Sequence, residues 1–123
     1  MPQDGKLGED LVAKHYKKLG FSILDTNYIF HKGKQIGELD LVARKDKEIV
    51  FVEVKTRGSN TFGDAFSAVN SSKQRKLVLM AKLYMAVHPQ YQGFDFRIDV
   101  AAVDIDNKDN PVIILTNVIE DLD

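Results

Sequence analysis

Residues 38–55 read ELDLVARKDKEIVFVEVK. Two runs rich in valine, leucine and isoleucine, residues 38–43 and 49–55, are separated by a polar segment centred on Asp46 and Lys47. Strand-forming runs on either side of a polar turn are typical of a β-hairpin. The fold can be worked out from this hairpin in both directions along the chain.

The register of the hairpin follows from its turn. If the chain turns symmetrically at the centre of the polar segment, Asp40 lies opposite Glu53 and Glu38 lies opposite Lys55. Because side chains alternate between the faces of a strand, these four charged side chains share one face. A slip of one residue would destroy this separation of charged and apolar residues, which supports the register. The other face is then formed by Leu39, Leu41, Ala43, Val50, Val52 and Val54.

The charged face has the composition of a metal-dependent hydrolytic site. Asp40 and Glu53 repel each other unless a proton or a cation is shared between them. Mg²⁺ accepts two such oxygen ligands and fills its remaining positions with water. Lys55 is placed to orient or deprotonate a water molecule and to offset charge that develops on a phosphate. From the residues alone an alternative stays open, in which Glu53 and Lys55 form an ordinary ion-pair stripe on a solvated sheet.

The elements around the hairpin give the chain the order αβββαββ. Apolar residues at helical spacing predict a first helix that ends at Gly20, and Ser71 and Gln74 have the spacing of a capping box for a second helix. This order predicts an α/β domain with a sheet that is at least partly antiparallel. Outside the hairpin, the expected elements are a helix over residues 5–19, a strand over 21–30, a helix from 71 to before Pro89, and strands over 94–105 and 112–119.

Glu9 is a further candidate for the charged site. It lies in the first turn of the predicted first helix, where it would reach the site from above. The alternative is that a carboxylate at this position stabilises the helix N-terminus, and the residues alone favour that alternative. Glu9 lies off the apolar stripe of the helix, which is formed by Leu7, Leu11, Val12, Tyr16 and Leu19.

The composition bounds the class of protein. A chain of 123 residues with 44% hydrophobic and 28% charged residues is expected to form one soluble domain over residues 1–123. The absence of cysteine excludes disulfides, thiolate zinc sites and cysteine nucleophiles. The N-terminus has no signal-peptide pattern, and no apolar run approaches the roughly 20 residues that span a bilayer. A cytoplasmic protein with no membrane partner is therefore expected.

The charges are unevenly distributed, although the net charge is −1. Residues 1–97 contain 16 Lys and Arg against 11 Asp and Glu, whereas residues 98–123 contain one Lys against seven Asp and Glu. A basic body can present a positive face to phosphates. Two solvated surfaces are the simpler explanation, so the charge permits a nucleic-acid partner without arguing for one.

A pattern of residues that extends over most of the chain is similar to a known family. The most specific blocks are residues 37–43 and 51–57, and the further matching positions are Gly8, Glu9, Ala13, Tyr16, Gly20, Phe21, Asn27, Phe62, Gly63, Ala68, Val69, Lys73, Ala81 and Tyr84. The chain resembles the YraN-like family of uncharacterised bacterial proteins. More distantly it resembles archaeal Holliday junction resolvases and the wider PD-(D/E)XK superfamily of restriction-endonuclease-like nucleases.

The resemblance implies a restriction-endonuclease-like fold, with a central mixed sheet flanked by helices, and a metal-dependent nuclease site. Asp40 and Glu53 would be metal ligands together with the main-chain carbonyl of Val54, and Lys55 would be the catalytic lysine. Glu9 would match the helix-one carboxylate of resolvase-like relatives, as a further catalytic and metal-binding residue. The implied cofactor is Mg²⁺, for which Mn²⁺ can substitute.

The resemblance also implies that the substrate is nucleic acid, with DNA expected. Lys73 would face the site or the phosphate backbone, and Arg57, Arg75 and Lys76 would add contacts to nucleic acid. A solvated helix face accounts equally well for Arg75 and Lys76. Cleavage of branched DNA would require a homodimer, since two cuts need two sites. The competing interpretation is a non-catalytic module that retains the nuclease fold to bind nucleic acid or a DNA-processing protein.

Overall fold

A computed structural model describes residues 2–57 and 71–118 of the chain. The order αβββαββ is confirmed, and α2 begins at the predicted Ser71, although the side chain of that residue, and with it the capping box, lies outside the described part. None of the described helices is long and apolar enough to cross a membrane. The elements are α1 (Pro2–Lys18), β1 (Ser22–Lys32), β2 (Lys34–Lys45), β3 (Glu48–Arg57), α2 (Ser71–Val87), a 3₁₀ turn (Pro89–Tyr91), β4 (Asp95–Asp104) and β5 (Val112–Leu115).

The five strands form one mixed sheet in the order β1-β2-β3-β4-β5. β3 and β4 are parallel, and the other three pairs of neighbours are antiparallel. Parallel neighbours need a crossover connection, and α2 lies in the connection between β3 and β4. This arrangement fits the restriction-endonuclease-like fold that the resemblance implies. It also places β3, which carries Glu53 and Lys55, at the centre of the sheet.

The hairpin formed by β2 and β3 has the predicted register. Residues 41–45 pair with residues 48–52 as the symmetrical turn requires. The ladder between the two strands ends at Leu41. The predicted oppositions of Asp40 with Glu53 and of Glu38 with Lys55 therefore both lie beyond the last pair, where β2 is hydrogen-bonded to β1.

Both faces of the sheet are covered by a helix. Glu53 lies on the side that α2 covers and is only 7% exposed. An ion-pair stripe on a solvated sheet, the alternative left open by the sequence, is therefore excluded. Under α1 the buried residues are Val12, Tyr16, Leu41, Val50, Val52, Ala101 and Val103. Under α2 they are Phe30, Leu39, Val42, Ile49, Phe51, Leu77, Met80, Ala81, Tyr84, Ile98 and Val100.

Strict alternation of side chains along β2 fails at Asp40. Leu39 and Leu41 are predicted to share one face, but Leu39 packs under α2 whereas Leu41 packs under α1. The prediction is wrong because the neighbouring strand is irregular at this point. Asn27 of β1 has a φ of 51° and lies between the residues that pair with Leu39 and Leu41. The alternation of side chains between the two faces of the sheet is therefore reversed at this point in both strands, and Asp40 is the residue of β2 at which this happens.

The C-terminus of α1 is closed as the sequence predicts. Gly20 adopts a φ of 94°, in the left-handed region that favours glycine. The N–H of Gly20 donates to the carbonyl of Lys17 and the N–H of Phe21 donates to the carbonyl of Tyr16, both at 3.0 Å. These two bonds are those of a Schellman motif, and the rings of Tyr16 and Phe21 add its apolar contact with centroids 5.3 Å apart.

The N-terminus of α1 lies earlier than predicted, at Pro2. Glu9 is therefore in the middle of the helix rather than in its first turn. Stabilisation of the helix N-terminus, which acts only within the first turn, does not explain this carboxylate. The predicted apolar stripe is also too long, because Leu7 and Leu19 are exposed while Val12 is buried.

Two acidic residues of the C-terminal segment are buried rather than solvated. Asp104 is 6% exposed and Asp99 is fully buried. The carboxylate of Asp99 accepts hydrogen bonds from Tyr16 Oη at 2.6 Å, Arg97 Nε at 3.1 Å and the Asn117 N–H at 2.9 Å. Asp99 thereby ties β4 to α1 and to the segment after β5. The acidic segment contributes less surface charge than its composition suggests.

Candidate active site

Four charged side chains meet where the ladder between β2 and β3 ends. Glu53 and Lys55 are two residues apart on β3, so they project from the same face. Glu53 Oε2 lies 3.2 Å from Lys55 Nζ and 3.0 Å from Nζ of Lys73, which is in the first turn of α2. Asp40 joins them from β2 through a hydrogen bond with Glu53. The structure therefore brings the three principal predicted residues together and adds Lys73 as a direct contact of Glu53.

Asp40 is held by the main chain of β3. Its Oδ2 accepts a hydrogen bond of 2.9 Å from the N–H of Val54. Burial and the charge of Glu53 raise the pKa of Asp40 to about 7. The pKa of Glu53 is lowered although burial opposes this, because Lys73 and Asp40 donate hydrogen bonds to the carboxylate. Because the pKa of Asp40 is raised and that of Glu53 is lowered, the two carboxylates titrate as a pair, and Asp40 is the one that favours the proton.

The two lysines differ in how firmly they hold their protons. Burial lowers the pKa of Lys55, and the neighbouring Lys73 lowers it further. The negative charge of Glu53 raises it, but by less. The pKa of Lys73 is raised by its hydrogen bond with Lys55 and by Glu53, against burial. Lys55 is therefore the better placed of the two to transfer a proton, and Lys73 is the more permanent positive charge.

The site lies in a cleft of about 520 Å³ between β2 and α2. β3 forms its floor with Glu53, Val54 and Lys55. The side chains of Lys55 and Lys73 are 18% and 40% exposed, so an anion in the cleft can reach both ammonium groups. The walls are formed by Gln35, Ile36, Gly37, Glu38 and Asp40 from β2, and by Lys73, Lys76, Leu77 and Met80 from α2.

The donor atoms of the cleft suit Mg²⁺. Among the residues that the structure describes, no three His, Cys, Asp or Glu side chains lie close enough to hold a metal ion together. Asp40 and Glu53 are therefore the side-chain ligands on offer, and both are carboxylates. Zinc sites use three or four nitrogen and sulfur ligands, whereas Mg²⁺ is held by one or two carboxylates and keeps several waters or phosphate oxygens. The pKa of Asp40 is raised by burial and by the charge of Glu53, and a cation between the two carboxylates would offset that repulsion.

Glu9 approaches the site from α1. Its Oε1 accepts a hydrogen bond of 3.0 Å from Nδ2 of Asn27, the irregular residue beside Asp40. The charge of Glu9 also raises the pKa of Asp40, although less than burial and Glu53 do. Glu9 does not line the cleft. The structure brings it near Asp40 and not to Glu53, and its role as a metal ligand stays a prediction.

The other predicted residues occupy different positions. Lys76 lines the cleft on the α2 wall, and Glu38 is exposed on the β2 wall. Arg75 is exposed on α2 and does not line the cleft. Arg57 ends β3, and its side chain lies outside the described residues.

The contact that sets the width of the cleft was not recognised from the sequence. A Cβ at Gly37 would overlap Sδ of Met80, so the missing side chain lets α2 lie directly on β2. A Cβ at Gly8 would likewise overlap the side chain of Thr56, which brings α1 onto β3. A glycine inside a strand often marks such a close approach, but Gly37 lies just before the strand predicted over residues 38–43, so the prediction did not carry this signal.

Comparison with known proteins gives a family match over most of the chain. The model of a family described as "Uncharacterised protein family UPF0102" matches residues 8–103, which include every residue of the site. A UPF0102 protein of Caldicellulosiruptor bescii is 39% identical over 110 residues, covering 89% of each chain. A second, of Clostridium perfringens, is 43% identical over 99 residues, or 80% of this chain and 77% of the other. A third, of Vibrio parahaemolyticus, is 35% identical over 107 residues, or 87% and 85%.

Proposed function

The chain belongs to the uncharacterised protein family UPF0102, and from the geometry of its cleft we propose that it is a Mg²⁺-dependent nuclease. The observation that carries the proposal is the hydrogen-bonded pair Asp40–Glu53 with Lys55 Nζ 3.2 Å from the same glutamate. Two carboxylates that repel each other are costly to bury unless a proton or a cation is shared between them, and a bound cation would take the place of the proton. A cation, a proton-transfer group and positive charge are the parts that phosphodiester hydrolysis needs.

Asp40 and Glu53 would hold the ion, and the resemblance to resolvase-like nucleases adds the carbonyl of Val54. When bound, Mg²⁺ would supply positive charge and lower the pKa of water. Lys73 and Lys55 both form ion pairs with Glu53. If Mg²⁺ bound to Glu53, part of the positive charge of the two lysines would become available to a phosphate. The N–H of Val54 keeps Asp40 in position throughout.

The chain's own groups account for proton transfer. Lys55 is close to the carboxylates, 18% exposed at the floor of the cleft, and its pKa is lowered by burial. A lysine whose pKa lies nearer the working pH exchanges its proton more readily. Lys55 would orient the attacking water or carry a proton, while Lys73 and Lys76 would contact the phosphate backbone.

Nucleic acid is the substrate that best fits the walls of the cleft. Lys55, Lys73 and Lys76 all line it, although the whole chain has a net charge of −1. The carboxylates of Glu38, Asp40 and Glu53 also line the cleft, so phosphates would approach the lysines once a bound cation offsets this negative charge. Fold-level similarity alone does not decide between linear and branched substrates.

The test is a cleavage assay on single-stranded, duplex and four-way-branched DNA and on duplex RNA, with Mg²⁺, Mn²⁺ or EDTA. Cleavage is expected with either metal, and not with EDTA or with Glu53→Gln. Asp46→Asn is the matched control, because it also exchanges a carboxylate for an amide but lies in the β2–β3 turn, where φ is 54° and asparagine is well tolerated.

Two results would contradict the proposal. Cleavage that survives EDTA or Glu53→Gln would come from a contaminant or from another site. Binding of nucleic acid without cleavage of any substrate would establish the competing interpretation, a non-catalytic module on a nuclease fold.

A further inference from the structure

The β1–β2 hairpin extends beyond the rest of the sheet. β2 pairs with β1 as far as Lys34, whereas its pairing with β3 ends at Leu41. Among the strands that the structure describes, residues 34–40 therefore have a neighbour on one side only. Residues 28–40 form a two-stranded arm, and the carboxylate of Asp40 lies at its root.

The tip of the arm is positively charged, and repulsion between its charges destabilises the hairpin there. Lys32 pairs directly with Lys34 across the turn, and both side chains are exposed. Like charges at directly opposite positions destabilise a hairpin. No acidic residue lies between Asp25 and Glu38 in the sequence to offset them. An anion bound between the two ammonium groups would remove this repulsion.

The root of the arm is held in a fixed direction. Phe30 and Leu39 are buried against α2, and the absence of a side chain at Gly37 admits Met80. Residues 35–38 are part of the arm and also line the cleft. The inner side of the arm and the wall of the cleft are therefore one continuous surface.

We propose that the arm binds the major groove of duplex DNA, with Lys32 and Lys34 on its phosphates, an assignment that rests on the proposed nuclease function. The major groove of B-DNA is about 12 Å wide and admits a two-stranded ribbon. The major groove of A-form RNA is deep and narrow and does not. An arm that binds in this way would therefore select duplex DNA over duplex RNA.

The length of the arm gives the distance along the DNA between the contacts at its tip and the carboxylates at its root. Between Asp40 and Lys34 the strand spans about 20 Å, at about 3.3 Å per residue. This distance corresponds to about six base pairs, at about 3.4 Å each. The duplex must then continue for about six base pairs on one side of the phosphate that lies at the carboxylates.

The test measures binding separately from cleavage. Labelled duplexes of about 20 base pairs, long enough to cover about six on either side of the site, are titrated by fluorescence anisotropy in EDTA and in Ca²⁺. The ligands are duplex DNA, duplex RNA and single-stranded DNA of one sequence. Lys32→Ala/Lys34→Ala is the arm variant. Lys17→Ala/Lys18→Ala is the matched control, because both lysines are exposed at the other end of the sheet, where α1 ends beside Lys45.

Wild-type protein is expected to bind duplex DNA more tightly than duplex RNA. The arm variant should lose about tenfold or more in affinity for duplex DNA at about 0.1 M salt. The slope of log K against log salt should become less steep by about two, one for each phosphate contact that the variant loses. The control variant should keep the wild-type slope. A thermal midpoint equal to or above that of the wild type shows that the arm variant is folded, since the variant removes a repulsion between like charges.

The outcomes separate the arm from the nuclease proposal. Equal binding of duplex DNA and RNA, or an arm variant that binds like wild type, overturns the proposed role of the arm even when the protein cleaves DNA. If the protein binds duplex DNA through the arm but cleaves nothing, the role of the arm is supported and the proposed nuclease function is overturned. A protein that binds no nucleic acid overturns both, and an acidic protein surface would then be the partner to examine.

Discussion

Oδ2 of Asp40 accepts the main-chain N–H of Val54 at 2.9 Å, at the point where the hydrogen-bonded ladder between β2 and β3 ends. A side-chain carboxylate thus takes the place of a strand carbonyl. The carboxylate of Asp40 is therefore held by the main chain as well as by Glu53, and an amide oxygen can accept the same main-chain bond. Asp40→Asn is therefore a substitution that removes the charge without removing the contact.

The first prediction concerns Asp40 and pH. Because its pKa in the folded chain is raised to about 7, the folded state binds this proton more tightly than the unfolded state, in which aspartate titrates near 3.9. Asp40 therefore costs stability increasingly as the pH rises from about 4 to above 7. Asp40→Asn should raise the free energy of unfolding by about 1–3 kcal/mol at pH 8 and change it little at pH 4.

Urea unfolding at the two pH values measures this difference. Asp46→Asn, in an exposed turn, should show no such dependence on pH. An Asp40→Asn variant that is less stable than wild type at pH 8 would show that the charge of Asp40 is not a burden on the fold.

The second prediction concerns metal. Mg²⁺ should raise the thermal midpoint of the wild type, with a gain of about 2.7 kcal/mol when its concentration is about 100 times Kd. The gain should be smaller at pH 6 than at pH 8, because protons compete for Asp40. Asp40→Asn and Glu53→Gln should lose the gain, while Asp46→Asn keeps it. A shift that both site variants retain would place the ion elsewhere.

The third prediction separates proton transfer from metal binding. Lys55→Met is expected to lower the single-turnover rate by about 10²–10⁴, the usual contribution of a general acid or base. The thermal shift by Mg²⁺ should remain, because both carboxylates are intact. Lys47→Met, on an exposed turn residue, is the matched control. A rate within about twofold of wild type would remove Lys55 from the mechanism.

The fourth prediction concerns the packing that sets the width of the cleft. Gly37→Ala would drive a methyl group into the buried Met80, at a cost of about 1–3 kcal/mol in the free energy of unfolding. In a Met80→Ala background the same change should cost much less, since the space is then open. A double-mutant cycle by chemical unfolding measures this coupling. Additive effects would mean that the two residues are not in contact.

The sequence was sufficient where a feature depends on residues close in the chain. The register of the hairpin followed from one turn and two runs of alternating residues, and it is confirmed by every pair in the ladder. The end of α1 followed from Gly20, which alone accommodates the required φ. The resemblance to the YraN-like family is also confirmed, by the family to which the chain belongs. Local rules and a motif therefore located Asp40, Glu53 and Lys55 together.

Features that depend on distant partners were not predictable. The prediction for the face of Leu39 was wrong because Asn27, on another strand, reverses the alternation of side chains at Asp40. The prediction that Asp99 is solvated was wrong because one of its hydrogen-bond donors is Tyr16, which lies 83 positions away in the sequence. The resemblance implied that Lys73 faces the site or the phosphate backbone, but its contact with Glu53 depends on how α2 lies across the sheet, which only the tertiary structure fixes.

The end of the ladder at Leu41 also divides β2 into two parts that should open independently. Amides of residues 41–44 lie on a strand that is paired on both sides and are expected to exchange hydrogen with solvent only through global unfolding. Amides of residues 34–40 are bonded on one side and lie near an exposed tip, so smaller fluctuations suffice to expose them. The chain thus joins a slowly exchanging platform to a more readily opened ribbon, and the two carboxylates stand at the boundary between them.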